Sequence, residues 1–242
     1  MNEEENIEEQ QEIQGIPQEK EPSSFKLIFV LGLTGFFAGL AIVGAYLFTL
    51  PMIEANRAEA LRKAIFEVLP KCTSFKTLEL LDGKLIEIVE DNNKKKDKTG
   101  EKAKRIFTGF NANGDFIGFA IPGSEPGFQD VIAVIFGYDA SQKVIIGFEV
   151  LESKETPGIG DKIFKDADFQ VNFTALAVDP EIVPVKKGKK QNPNEVEKII
   201  GATISSKAVV RLLNNAMNEW REPIDEYIKE HDFSIKVKGN IN

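Results

Sequence analysis

The chain has 242 residues, 42% of them hydrophobic, which is enough for one substantial core and an extra apolar segment. Its formal net charge of −8 is lopsided: residues 1–24 hold eight glutamates and one lysine, −7 of the −8, so the rest of the chain carries no electrostatic footprint for nucleic acid. A single cysteine, Cys72, and a single histidine, His231, argue against an intramolecular disulfide, a cysteine-held cluster, a His-rich metal site and a His-based triad, and neither the Gly-x-Gly-x-x-Gly nor the Gly-x-x-x-x-Gly-Lys-Ser/Thr pattern occurs.

Residues 1–24 are rich in Glu and Gln with few large apolar side chains, a composition that does not repay the entropy of ordering, and they read as a disordered acidic tail. From residue 27 to residue 50 the chain is an uncharged run of Leu, Ile, Phe, Val, Gly and Ala. At about 1.5 Å per residue this reaches about 36 Å, against a hydrocarbon core of about 30 Å. The run therefore predicts a transmembrane helix over 25–50. A cleaved signal peptide is the competing reading, but its apolar region is shorter and its leader basic. Gly35-Phe36-Phe37-Ala38-Gly39 is a small-xxx-small pattern that lets a second membrane helix approach closely. Lys20 and Lys26 on one flank against Arg57, Arg62 and Lys63 on the other favour a cytoplasmic C-terminal domain slightly, yet long domains translocate largely regardless of charge. Orientation is left open by the charges alone.

After Pro51, the apolar residues Leu61, Ala64, Ile65, Val68 and Leu69 repeat at the spacing of one helical face. They predict a juxtamembrane amphipathic helix within 51–72, packed on a core and stopped by Pro70. Short apolar or alternating runs follow. Residues 75–81 and 84–89 flank Asp82-Gly83, a hairpin signal; 105–110 and 115–121 flank a turn-rich 111–114; 131–138 and 143–151 flank 139–142. These predict an antiparallel sheet. The lysine-rich block 91–105 and the basic run 186–190 read as solvated loops.

Two polar stretches stand out. In Lys154-Glu155-Thr156-Pro157-Gly158-Ile159-Gly160-Asp161-Lys162-Ile163, the proline fixes one backbone angle, and the two glycines permit positive φ and a close approach of a planar ligand to backbone. An ordinary Pro-Gly turn fits the same residues. In Gly201-Ala202-Thr203-Ile204-Ser205-Ser206, a polar run opens a helix whose apolar stripe is Val209, Leu212, Leu213, Ala216 and Trp220. Free N–H groups and the positive dipole end make that start a phosphate site, with hydroxyls at Thr203, Ser205 and Ser206 as further donors. Plain N-capping uses the same residue types.

The span, Ile-Glu-Ala-Asn-Arg (53–57) and Phe-Glu-Val-Leu-Pro (66–70), the Glu-Thr-Pro-Gly-Ile-Gly-Asp-Lys-Ile loop (155–163) and Gly-Ala-Thr-Ile-Ser-Ser-Lys-Ala-Val (201–209) together resemble, in order, the G subunit of the Rnf electron-transport complex, over about residues 27–219. The FMN-binding domain is similar to that of the C subunit of the Na⁺-translocating NADH:quinone reductase, and Asp161-Lys162-Ile163 after the loop fits the Rnf subunit better. The resemblance implies an α+β fold: a single N-terminal transmembrane helix followed by an antiparallel-sheet FMN-binding domain over 73–235 with flanking helices. It implies FMN esterified through its phosphate to the Thr203 hydroxyl by a separate flavin transferase. Gly201, Ala202, Ser205 and Ser206 are then expected at the helix start, with Glu155, Thr156, Gly158 and Gly160 in the loop that approaches the flavin. Glu197 and Ile200 stand where the family's attachment pattern has Asp and Ser or Thr. The implied role is electron relay within an ion-translocating ferredoxin:NAD oxidoreductase, without stand-alone catalysis, from a single-pass position in the cell membrane with the C-terminal domain extracytoplasmic. Expected partners are the other Rnf subunits, the transferase and the lipid bilayer. Two other readings of the same residues are a membrane-anchored flavin-binding or sensory module and a flavin-free assembly subunit.

Overall fold

The computed structural model describes residues 23–88 and 104–231. Most of the acidic tail (1–22) and most of the lysine-rich block (91–103) lie outside them. The chain divides into two compact units, Met1–Ala55 and Asn56–Asn242.

In the first unit the described residues form helix α1, which runs Ser24–Val68 and so ends in the second unit. Its large apolar side chains from Phe25 to Ile53 are exposed, apart from the half-buried Leu50. Its most apolar window, unburied by any of the described residues, matches a membrane span in length and composition. Pro51 sits inside α1, so the expected span and juxtamembrane helix are one element. A proline removes one N–H from the ladder, and long helical arms on both sides tolerate that loss.

The second unit is built on a seven-stranded sheet: β1 (Ser74–Leu81), β2 (Lys84–Ile88), β3 (Arg105–Phe110), β4 (Phe116–Pro126), β5 (Val131–Asp139), β6 (Val144–Glu152) and β7 (Leu176–Ala177), in the order β2-β1-β3-β4-β5-β6-β7. Every pair is antiparallel. The Asp82-Gly83 hairpin turn has positive φ at both residues, 51° and 81°, the condition of a type I′ turn. The expected strands are present, with β4 running five residues past the end of the predicted 115–121 because Pro122-Gly123-Ser124-Glu125-Pro126 still pairs with 131–135.

Side chains alternate across the sheet, as strand geometry requires. Ile106, Phe119, Ile121, Ile132, Val134 and Phe136 face one core, which is covered by helix α4 (Thr203–Glu230) through Val209, Leu212, Leu213, Ala216 and Trp220. Phe107, Ala120 and Ile135 face the other way, where the end of α1 contributes Ala64, Ile65, Val68 and Leu69. That end sits unusually deep. The cross-strand glycines Gly137 and Gly147 are register partners, and a Cβ on either would fall 2.0 or 2.4 Å from the Val68 carbonyl oxygen. The helix terminus therefore rests backbone on backbone.

Between β6 and α4 lie two single-turn helices, α2 (Lys162–Lys165) and α3 (Ala167–Gln170), a 3₁₀ turn (Val171–Phe173), β7, and a small parallel pair of β8 (Val183–Val185) and β9 (Glu195–Glu197). Phe173 stacks on Phe148 of β6 with centroids 4.3 Å apart and ties this segment to the sheet. The parallel pair was not expected from the sequence, because strands of three residues are too short to show a period.

Candidate functional site

Three segments far apart in sequence meet beside the start of α4: the turn 127–130 between β4 and β5, the loop 153–161 after β6, and the helix start itself. Glu155 joins them. It is 5% exposed, and its Oε1 accepts from the backbone N–H of Phe128 (2.8 Å) and of Gln129 (3.0 Å). Its Oε2 accepts from the Ser205 hydroxyl at 2.5 Å. Burial alone would push this carboxyl up, but the Ser205 hydroxyl and the N–H groups of residues 128–130 outweigh it and hold it below the usual carboxylate range.

The loop keeps its shape by local bonds. The Thr156 carbonyl accepts from the N–H of Ile159 (3.1 Å) and Gly160 (2.9 Å), the Thr156 hydroxyl donates to Gln129 Oε1 at 3.1 Å, and Gly158 N–H donates to Asp161 Oδ1 at 2.8 Å. Lys165 Nζ closes the set on Asp161 Oδ2 at 2.6 Å and holds that carboxyl below its ordinary range. The two glycines of the loop differ. Gly158 has φ +78° and open space where a Cβ would stand, whereas a Cβ on Gly160 would lie 2.6 Å from Glu155 Oε2. Gly160 makes room for the carboxylate, and Gly158 is the one that leaves the surface open.

At the helix start, Gly201 has φ +87° and nothing within 4 Å of a built Cβ. Ala202 is the N-cap residue and supplies no side-chain cap. Ser206 takes over locally: its hydroxyl donates to the Ala202 carbonyl (2.8 Å) and accepts from Ile199 N–H (3.1 Å). The hydroxyls of Ser205 and Ser206 are thus turned inward and spent on protein acceptors. Thr203 is exposed, and its hydroxyl meets no protein partner among the described residues. The N–H groups of Thr203, Ile204 and Ser205, the first three of the helix, meet no acceptor among the described residues either, as expected before the first i→i−4 bond.

Apolar side chains rim this polar start. Phe128 (64% exposed), Ile159 (50%) and Ile204 (50%) come one from each of the three segments. Free N–H donors at the positive helix end, an exposed hydroxyl, two glycines with open space and an apolar rim fit a phosphate ester of a planar aromatic group. Of the residues singled out in the sequence, Glu155, Thr156, Gly160 and Ser205 form one bonded network, while Gly158, Gly201 and Thr203 face open space. The turn Gly127-Phe128-Gln129 was missed. Its signal was present in Glu-Pro-Gly-Phe-Gln-Asp (125–130): a large apolar residue placed in a Pro-Gly turn has no core to enter.

The segment that carries this arrangement, residues 127–218, matches the family model of the FMN-binding domain. Over 208 residues the chain is 29% identical to the G subunit of the Na(+)-translocating ferredoxin:NAD(+) oxidoreductase complex of Acetobacterium woodii, covering 84% of this chain and 96% of that protein. It is 26% identical over 193 residues to the G subunit of the ion-translocating oxidoreductase complex of Methanosarcina acetivorans, covering 80% and 92%. The crystal structure of Shewanella oneidensis NqrC shares the fold, with a TM-score of 0.50 at 20% identity over 68% of this chain and 86% of that one. The resemblance to the Rnf G subunits drawn from the two motifs is borne out across nearly the whole length of those relatives.

Proposed function

We propose that this chain is the membrane-anchored flavoprotein subunit of an Rnf-type ion-translocating ferredoxin:NAD oxidoreductase, carrying FMN as a phosphoester on Thr203. The observation that carries this reading is the exposed Thr203 hydroxyl at the head of α4, beside three N–H groups without acceptors among the described residues, inside the segment that matches the FMN-binding domain. Bound there, FMN supplies reversible electron uptake and release.

The chain's own contribution is position and electrostatics. The N–H groups of residues 203–205 and the dipole of a 28-residue helix stabilise the ester phosphate. Gly201 lets it approach the backbone. Phe128, Ile159 and Ile204 supply apolar contact for the ring system and leave one edge open to a donor or acceptor subunit. No acid or base is required of the protein. The helix α1 anchors the domain in the cell membrane as a single pass, with the flavin domain on the extracytoplasmic side. A separate flavin transferase installs the cofactor, and the remaining subunits of the complex supply and withdraw electrons.

The attachment site is tested by peptide mapping. Cleavage after Lys198 and Lys207 releases residues 199–207, and in chain made alongside a transferase this peptide is expected to carry one FMN through a phosphoester. Flavin on any other peptide, or on none, contradicts the reading.

A further inference from the structure

The buried group that electron relay leaves unused is the Glu155 carboxylate. No Lys or Arg pairs with it among the described residues; its partners are neutral donors from the turn 127–130 and from Ser205, 50 residues away. Burying a carboxylate without a counter-cation is expensive, and hydrogen bonds to its charged form are what make it tenable. Its position is also fixed by shape, because a Cβ on Gly127 would lie 2.4 Å from Oε1 and one on Gly160 would lie 2.6 Å from Oε2. Ser205 is the third residue of α4, two beyond Thr203. A bond at Ser205 therefore fixes the rotation of the first turn, and with it the direction in which Thr203 points.

We propose that Glu155 is a positioning residue: its carboxylate, clamped by the turn 127–130, holds Ser205 so that the first turn of α4 presents Thr203 Oγ1 for phosphoester formation. This rests on the reading of Thr203 as the acceptor. In the step concerned, a bond forms between Thr203 Oγ1 and the flavin phosphorus while the pyrophosphate bond of a flavin dinucleotide donor breaks. A nucleoside monophosphate leaves, the hydroxyl proton passes to the transferase or solvent, and nothing is oxidised or reduced. Glu155 touches neither reacting atom.

The test uses the full chain in detergent, made without transferase, and two readouts. Amide exchange at Ser206, Lys207 and Ala208 reports the first turn, with the β5 amides as a control for the fold. The rate of covalent flavin uptake is then followed after adding transferase and flavin dinucleotide. Glu155→Gln and Ser205→Ala are each expected to speed exchange at 206–208 and to slow uptake, both by about tenfold or more, the range of a charge-assisted hydrogen bond. The loss falls on kcat with KM for the donor unchanged, and the double variant is no slower than the slower single one. Ser205→Ala carries the test if Glu155→Gln does not fold. Uptake and exchange at wild-type rates in both variants, or multiplicative losses in the double variant, overturn the proposal. A wild-type chain that takes no flavin on Thr203 overturns the acceptor reading as well, whereas Glu155→Gln flavinylated on Thr203 at the wild-type rate overturns the positioning claim alone.

Discussion

At the residue scale, a polar stretch that looked uniform in the sequence divides into three jobs. Ser206 caps the turn, Ser205 binds Glu155, and Thr203 is left facing outward. The division follows from helix geometry: residues 205 and 206 fall on the face that continues through Val209, Leu212 and Leu213 into the core, and residue 203 falls off that face. Glu155 carries a pH consequence. Its folded-state value lies below the ordinary carboxyl value of about 4.3, so its stabilising contribution is fully present above that pH and is lost as pH falls through the depressed value. Thermal melts of wild type and Glu155→Gln are therefore expected to keep a constant gap from about pH 5 to 8 and to converge as pH falls below the ordinary carboxyl range; a gap that widens with acid contradicts the assignment. Ile200 is 78% exposed, so Ile200→Ser has nothing to unpack. Because the attachment pattern implied by the resemblance has Ser or Thr there, this variant is expected to gain flavin faster than wild type with a melting temperature within about 2 °C.

At the element scale, the sheet and its two helical layers were legible because β-branched and aromatic residues alternate and because the stripes of α1 and α4 keep helical spacing. Two things were not legible. Pro51 reads as a boundary in any sequence, yet long arms carry the helix through it. Gly137 and Gly147 read as weak strand residues, and only pairing in register reveals them as a seat for the Val68 carbonyl. The site divided in the same way: the loop and the helix start were visible as punctuation, while the bond that joins Glu155 to Ser205 depends on tertiary placement that no local pattern encodes. The glycine seat predicts a cost. Gly147→Ala is expected to destabilise the domain by about 1–3 kcal/mol through overpacking, read as a shift in the denaturant midpoint, whereas Gly83→Ala in the exposed hairpin, strained by its φ of 81°, should cost about 1 kcal/mol. Equal midpoints for Gly147→Ala and wild type would show that the α1 terminus yields.

At the scale of the whole molecule, a long apolar helix exposed over its candidate span and a domain with its own two cores are the two parts that the proposed anchor and cofactor carrier calls for. Among the described residues no group of three or more His, Cys, Asp or Glu could hold a metal ion. The proposed flavin attachment comes down to one bond. Wild type made with a transferase, denatured in detergent and run on a gel, is expected to show flavin fluorescence moving with the polypeptide, and Thr203→Ala made in the same way to show none. Fluorescence that stays with Thr203→Ala, or that never stays with wild type, would contradict the account.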